Sequence, residues 1–411
     1  MPSDPLLPPG LLSRYADAIV KTSLSFGKGY SLVVQGEHEH RELLVAVAES
    51  AYRAGARYVD VLVADPLVAR ARLQHGSDEA LGAVSPWVMR RLRETVRSNG
   101  AFVAITGQAE GGYFDGIPPQ RISLDYTRAA KATTFLRAAQ LGMRARWTIA
   151  GWPTDYWAAQ AYPELPALEG KRRLARDLLH FCRLTDADGK GSSGWLRHLR
   201  TITRRSEKLT RLGLTRLELR AQGTELGLGL VSGTRWLGGQ EEMPDGTKLA
   251  PNMPTEETFT SPDARATEGT FSCTFPLWFR GRLIEGLRGE FRGGRLVRLD
   301  ADSDADRDFV AAYLDSDANG RRLGEIALVD STSRIGQAGR VYFNTLLDEN
   351  AAAHIAFGSG FGNTRSQKPA RGVNRSLIHL DVMIGSPELE VTGVNARGRR
   401  VLLIREGVWQ I

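Results

Sequence analysis

The first 150 residues alternate between short apolar patterns typical of strands and amphipathic patterns typical of helices. Strand patterns occur at residues 31–35, 58–64, 101–106 and 146–150. Helix patterns separate them, for example at residues 41–54. Strands joined by helices of this length favour βαβ units, in which neighbouring strands run parallel. We therefore predict an N-terminal α/β domain with a mostly parallel sheet.

The pattern changes after about residue 185. A polar, glycine-rich stretch at residues 186–194 is typical of a linker. Beyond it, apolar and polar residues alternate with a period of two, as at residues 214–220 and 226–231. We predict two domains: the α/β domain at residues 1–185, and an α+β domain with a largely antiparallel sheet at residues 186–411.

Several classes of partner are excluded by composition and motifs. The first strand is followed by residues 36–40 rather than by a glycine-rich phosphate loop, which argues against a nucleotide site. The net charge of +7 is scattered, without a basic stripe interleaved with aromatic residues, so no nucleic acid is expected. No apolar run approaches the roughly 20 residues that span a bilayer, so no membrane partner is expected either.

The protein is expected to be cytoplasmic. Its two cysteines, Cys182 and Cys273, cannot build a disulfide framework. The N-terminal residues combine prolines with an aspartate and lack the basic and apolar regions of a secretory signal.

One apolar strand pattern, at residues 377–384, contains a histidine and an aspartate. Strand alternation places His379 and Asp381 on the same face, opposite the apolar side chains. A carboxylate beside an imidazole in such a strand is costly to bury unless it is paired or bound to a metal. A simple His–Asp hydrogen bond explains the pair equally well.

Four further residues of the second domain extend this set. His354 lies among small apolar residues, Glu256 and Glu257 are adjacent in an extended segment, and Glu325 lies in an apolar strand. Each has an ordinary explanation, as a core histidine or a surface charge. Together, imidazoles and carboxylates in this number suit a pair of divalent first-row ions, which can activate a water and polarise a carbonyl.

Several segments resemble the thermophilic aminopeptidase family, peptidase family M29. The specific matches, in order along the chain, are residues 252–257, 321–328, 349–354 and 372–381. Looser matches in the N-terminal half are residues 12–20, 51–56 and 115–121. The resemblance covers nearly the whole length and implies a dinuclear metallo-aminopeptidase that forms homodimers with an enclosed active site.

The resemblance also implies a ligand set for two divalent metal ions (Co, Zn or Mn). The expected metal ligands are Glu256, Glu325, His354, His379 and Asp381. Because adjacent residues of an extended segment point in opposite directions, only one of the two neighbouring glutamates faces the metals. We assign Glu256 as the ligand and Glu257 as the catalytic proton carrier, although the sequence alone leaves their order open.

Phe361 departs from the family pattern. The family commonly has a tyrosine seven residues after the first histidine, where its hydroxyl can stabilise an oxyanion; this chain has Phe361. Loss of such a donor lowers turnover by about 10²–10³-fold in other enzymes. Phe361 is therefore expected to border the substrate and either to weaken peptide hydrolysis or to indicate a different substrate.

The leading hypothesis is release of N-terminal amino acids from peptides by a water activated at the two metals. One alternative is a mononuclear Fe(II) ring-cleaving dioxygenase of the 2,5-dihydroxypyridine type, since two histidines and an aspartate form a facial triad. Another is hydrolysis of a small non-peptide amide, and a third is metal binding without catalysis.

Overall fold

The computed structural model describes residues 5–185, 192–365 and 371–411. Most of the expected linker, residues 186–191, lies outside the described residues. Within the described ranges, no helix combines the length and the apolar character needed to cross a bilayer.

A parallel sheet forms the centre of the N-terminal half. Its strands from this half are β1 (Ser31–Glu37), β2 (Tyr58–Ala64), β3 (Ala101–Thr106) and β4 (Arg146–Gly151). They lie in the order β2-β1-β3-β4, and every neighbouring pair is parallel. The repeated strand–helix alternation of the sequence produces this sheet, because a helical crossover returns the chain to the same edge before each new strand.

In residues 5–185, eight α-helices accompany this sheet. They are α1 (Pro9–Asp17), α2 (Arg41–Arg53), α3 (Pro66–His75), α4 (Pro86–Arg97), α5 (Pro119–Ala132), α6 (Thr134–Leu141), α7 (Asp155–Ala161) and α8 (Ala167–Phe181). A π-helical turn at Ala18–Ser23 extends α1, and a 3₁₀ turn at His38–His40 precedes α2. Four of the eight begin with proline, which suits the first helical turn because that position needs no intrahelical N–H bond.

The second half starts with helix α9 (Ser193–Arg211) and continues mainly as strands. The strands are β5 (Leu214–Ala221), β6 (Thr224–Leu230), β7 (Glu241–Glu242), β8 (Lys248–Leu249), β9 (Asn252–Met253), β10 (Thr258–Thr260), β11 (Pro262–Ser272), β12 (Leu277–Phe279), β13 (Arg282–Ile284), β14 (Arg288–Arg292), β15 (Arg295–Asp300), β16 (Leu323–Leu328), β17 (His354–Gly358), β18 (His379–Met383), β19 (Glu390–Asn395), β20 (Arg400–Arg405) and β21 (Val408–Trp409). The helices between them are α10 (Asp304–Asp315), α11 (Arg334–Gln337) and α12 (Thr345–Asp348).

Two larger sheets organise these strands. An eight-stranded sheet has the order β15-β14-β11-β6-β5-β19-β20-β21, and a four-stranded sheet has the order β10-β16-β17-β18. Neighbouring strands in both are antiparallel. The predicted fold class, a parallel α/β half followed by a largely antiparallel α+β half, is therefore confirmed.

One face of the four-stranded sheet packs against the eight-stranded sheet. Phe357 of β17 packs against Phe271 and Phe291 of the eight-stranded sheet, with ring centroids 5.8 and 5.6 Å apart. Leu380 and Val382 of β18 belong to the same core. Because side chains alternate along a strand, the carboxylates and imidazoles of β16, β17 and β18 lie on the other face, toward the N-terminal half.

Strand β9 connects the two halves. It comes from the second half, yet it pairs in parallel with β4 and so adds a fifth strand to the N-terminal sheet. The domain boundary at residue 185 remains a prediction. Beyond β9 the chain leaves the carboxyl edge of the parallel sheet, where open α/β sheets generally bind their ligands.

Candidate metal centre

The four-stranded sheet places two carboxylates and two imidazoles on one face. Ala356 of β17 lies opposite Glu325 of β16 on one side and opposite Asp381 of β18 on the other. Directly opposed residues of antiparallel strands project to the same side. His354 lies two residues before Ala356, and His379 lies two residues before Asp381. Both imidazoles therefore project to that side as well. Since Ala356 ends at a methyl group, space remains between the two carboxylates.

Glu257 reaches the same place from the segment between β9 and β10. Its Oε2 lies 3.4 Å from Nε2 of His354. One ligand atom from each of Glu257, Glu325 and His354 lies within 4.8 Å of the others, and the same holds for Glu325, His379 and Asp381. Glu325 belongs to both groups, so the two candidate cation sites are adjacent and share a carboxylate.

Both imidazoles are oriented by backbone carbonyls. Nδ1 of His354 lies 2.9 Å from the carbonyl oxygen of Glu349, and Nδ1 of His379 lies 3.0 Å from that of Ser359. A carbonyl oxygen only accepts hydrogen bonds, so each Nδ1 carries a proton and donates it. In the neutral rings, Nε2 is then free to bind a metal, which is the arrangement typical of ligating histidines.

The charges of the cluster favour a cation. Burial, together with repulsion from Glu325 and Asp381, raises the pKa of Glu257 well above its usual value. Burial alone would lower the pKa of His379, but Asp381 and Glu325, 3.1 and 3.3 Å from its Nε2, raise that pKa well above the usual range. Positive charge at this point stabilises the cluster. The donor set, imidazole nitrogens and carboxylate oxygens, fits divalent first-row ions.

Glu256 does not join the cluster, which corrects its expected assignment as a ligand. Its Oε1 lies 2.6 Å from Nη1 of Arg183, and its Oε2 lies 3.3 Å from Nε2 of His198. The two neighbouring glutamates do point in opposite directions, but Glu257 is the one that faces the donors. Arg183, at the end of the N-terminal half, compensates the buried charge of Glu256. His198 of α9 is neutral, because burial and the charge of Arg183 lower its pKa to about 3.

Glu349 is a further carboxylate of the site that the sequence reasoning did not single out. Asn252 Nδ2 donates to Oε1 of Glu349 at 3.3 Å and lies 3.5 Å from Oε1 of Glu257. Burial and the charges of Asp381 and Glu257 raise the pKa of Glu349 well above its usual value. The available signal was its position in the segment 349–354, five residues before His354.

The cluster opens on a cavity of about 710 Å³. Apolar residues of α5, α6 and β4 form part of its wall; they include Ala129, Leu136, Leu141, Trp147 and Ile149. Phe361 lines the same cavity, with its ring centroid 5.0 Å from that of Phe259 and 5.7 Å from that of His379. A largely apolar cavity with a few convergent polar groups is typical of a small-molecule or peptide site.

A cavity of this kind, bordered by two overlapping groups of metal donors, defines a metal-dependent enzyme. The chain belongs to the thermophilic metalloprotease (M29) family, whose model matches residues 10–409. It is 32% identical to aminopeptidase T of Thermus aquaticus over 406 residues, which cover 97% of this chain and 98% of the relative. It is 30% identical to aminopeptidase 2 of Geobacillus stearothermophilus, with 97% of each chain covered.

Solved structures agree with this family. Wild-type AmpT from Thermus thermophilus superposes with a TM-score of 0.88 at 32% identity, covering 98% of this chain and 99% of the other. The 2,5-dihydroxypyridine dioxygenase from Pseudomonas putida KT2440 gives a TM-score of 0.51 at 12% identity, over 97% of this chain and 96% of the other, which shows a shared fold only. The predicted family and hydrolase class are confirmed.

Proposed function

We propose that this protein is an aminopeptidase that releases N-terminal amino acids from peptides with two divalent cations (Co, Zn or Mn). The observation that carries the proposal is the pair of donor groups joined by Glu325. Glu257, Glu325 and His354 would hold one cation, and Glu325, His379 and Asp381 the other. When bound, such ions lower the pKa of a water and polarise the scissile carbonyl.

Glu349 is the candidate proton carrier of the site. Its carboxylate lies outside both donor groups, yet it lines the same cavity and is held beside Glu257 by Asn252. In this role it would accept a proton from the attacking water and donate it to the leaving amine, as general acid–base catalysis requires. This assignment replaces the one expected for Glu257, whose carboxylate lies among the metal donors.

The walls of the cavity would position the peptide. The apolar surface of α5, α6 and β4 suits an apolar side chain, because burying it there removes it from water. Phe361 beside His379 adds apolar surface but no hydrogen-bond donor. We expect slow turnover on peptides for this reason, and small non-peptide amides are the alternative substrates that Phe361 favours.

The donor set argues against the ring-cleaving alternative. A facial triad for one iron needs two histidines and a carboxylate. This site adds Glu257 and Glu325 to His354, His379 and Asp381. With these extra carboxylates the donors form two groups that share Glu325. A mononuclear centre would leave them buried without a cation.

We also propose that the protein is a cytoplasmic homodimer. Cys182 and Cys273 are both free thiols, as expected for a cytoplasmic protein. Strand β2 forms the outer edge of the parallel sheet, and Tyr58 and Val63 on it are each 60% exposed. An apolar edge strand of this kind is a surface that association into a homodimer would cover.

Replacement of one donor tests this function. His379→Ala should abolish chelator-sensitive release of leucine from leucyl peptides, while His38→Ala, on the surface, should leave it unchanged. Release of leucine at the same rate by both variants would refute the assigned site. Both variants need matched circular dichroism spectra, so that loss of activity is not loss of fold.

A further inference from the structure

A carboxylate outside the donor cluster lines the same cavity. Glu241, on the short strand β7, borders the cavity together with Phe259 and Phe361. It belongs to neither donor group. The reaction proposed above gives it no role, so its presence in a largely apolar cavity needs another explanation, because a carboxylate is costly to place in apolar surroundings.

The segment before Glu241 is hydrogen-bonded to strand β10. The backbone of Leu237 pairs with that of Phe259 through two hydrogen bonds of 2.9 Å. Gly238 has a φ of +150°, and a Cβ at this position would lie 2.5 Å from the carbonyl oxygen of Glu257. Only glycine therefore allows the chain to pass this close to Glu257, and three residues later Glu241 lines the cavity that the donors border.

The side chain of Glu241 is also held. Asn363 Nδ2 donates a hydrogen bond of 2.6 Å to its Oε2. Burial raises the pKa of Glu241 to about 7, Asn363 and Arg235 oppose this rise, and the charge of Glu325 adds to it. A cation placed near this carboxylate would favour its ionised form.

We propose that Glu241 binds the α-ammonium group of the substrate. An aminopeptidase must distinguish a free N-terminus from an internal peptide bond, and a positioned carboxylate does so by pairing with the ammonium. Phe259 and Phe361, which line the same cavity, add apolar surface that would limit the access of water to the ion pair. This inference rests on the proposed function for its substrate class, but the ammonium site can be tested by binding alone.

The test compares two variants and two ligands. Glu241→Gln retains an oxygen that can accept the hydrogen bond from Asn363 and removes only the charge. Glu242→Gln is the matched control, because Glu242 is the exposed neighbour on the same strand. The ligands are L-leucinol and 4-methylpentane-1,2-diol, which differ only in an ammonium or a hydroxyl group at one carbon. Binding is measured by calorimetry on metal-loaded protein of verified metal content.

The wild-type protein and Glu242→Gln should bind leucinol more tightly than the diol, by roughly 10–100-fold, as expected for a charge-assisted contact. Glu241→Gln should lose most of this preference while its affinity for the diol stays within about twofold. A preference for leucinol retained in Glu241→Gln would overturn the proposal and place ammonium recognition at the metals or at Glu349.

Hydrolysis separates this inference from the proposed function. With leucyl-p-nitroanilide and its 2-hydroxy analogue, Glu241→Gln should lower kcat/KM for the amine only, mainly through KM. If the wild-type protein hydrolyses neither substrate but still prefers leucinol through Glu241, the peptidase proposal fails and the ammonium site stands. If the wild-type protein hydrolyses both substrates and Glu241→Gln alters kcat/KM for neither of them, the proposed ammonium site fails and the peptidase proposal stands.

Discussion

The ring of Phe361 meets the imidazole of His379 edge-on, with centroids 5.7 Å apart and ring planes at 79°. Nε2 of His379 faces Glu325 and Asp381. Position 361 therefore borders the proposed cations directly, and the chain presents carbon there instead of the hydroxyl that the family resemblance leads one to expect.

Phe361→Tyr should increase turnover. A phenol hydroxyl next to His379 could donate to the oxyanion that forms during amide hydrolysis, and such a donor contributes about 10²–10³-fold in other enzymes. We expect kcat for leucyl-p-nitroanilide to rise at least 10-fold, toward this range. Phe259→Tyr, on the adjacent ring of the same cavity, controls for a hydroxyl placed elsewhere. An unchanged or lower kcat in Phe361→Tyr would mean that another group already stabilises the oxyanion.

Glu257→Gln and Glu256→Gln should separate metal binding from stability. Glu257→Gln removes a charged donor, so metal affinity should fall at least about 10-fold with little change in the thermal midpoint of the metal-free protein. Glu256→Gln leaves Arg183, whose side chain is only 12% exposed, without its counter-ion. This should cost about 3 kcal/mol of stability while metal content is retained. Metal titration and thermal unfolding of both variants show which of the two glutamates binds metal. The opposite pattern would restore Glu256 as the ligand.

Ala356→Val should weaken metal binding. Ala356 lies between Glu325 and Asp381 in the strand register, and added methyl groups would occupy the space between their carboxylates. Valine suits strands, so the sheet itself should persist. We expect metal affinity to fall about 10–100-fold, as for changes next to metal ligands in other sites. Ile355→Val, on the opposite face, serves as the comparison, and equal affinities in both variants would refute the spacing argument.

Asp177 should make the protein less stable as pH rises. Burial raises its pKa to about 6, although the Tyr342 hydroxyl and Arg340 oppose this. Because the folded pKa exceeds the usual value of about 3.9, the folded protein holds the Asp177 proton more tightly than the unfolded chain does. Its stabilising contribution is complete below about pH 4 and is lost as pH rises toward 6.

Asp177→Asn removes this titration. The difference in unfolding midpoint between Asp177→Asn and wild type should therefore shift in favour of the variant between pH 4 and pH 7. Denaturant unfolding at several pH values measures it. If the unfolding midpoints of the two proteins change with pH in parallel, Asp177 has the same pKa in the folded and unfolded chains.

Local patterns were sufficient to predict much of this architecture. The strand predicted at residues 58–64 coincides with β2, and that at residues 101–106 coincides with β3. Alternation correctly put His379 and Asp381 on one face of β18, because strand geometry fixes that relationship whatever the surrounding fold.

Relationships between distant segments were not accessible in the same way. Strand alternation predicts that the side chains of Glu256 and Glu257 point in opposite directions. Which of them faces the cavity depends on Arg183 and His198, which come from other elements and contact Glu256. Strand β9 is too short to give a periodic signal, and its pairing with β4 depends on tertiary packing. The role proposed for Glu349 depends on its contact with Asn252, 97 residues away along the chain.

Metal stoichiometry tests the central claim most directly. The chain is stripped with a chelator and reconstituted with Co, Zn, Mn or Fe, and each sample is assayed for metal content and for leucyl-p-nitroanilide hydrolysis. Two adjacent donor groups sharing Glu325 predict two Co, Zn or Mn ions per chain, with hydrolysis lost on chelation and restored on reconstitution. A single iron per chain, with oxygen consumption and no hydrolysis in any sample, would contradict the dinuclear aminopeptidase.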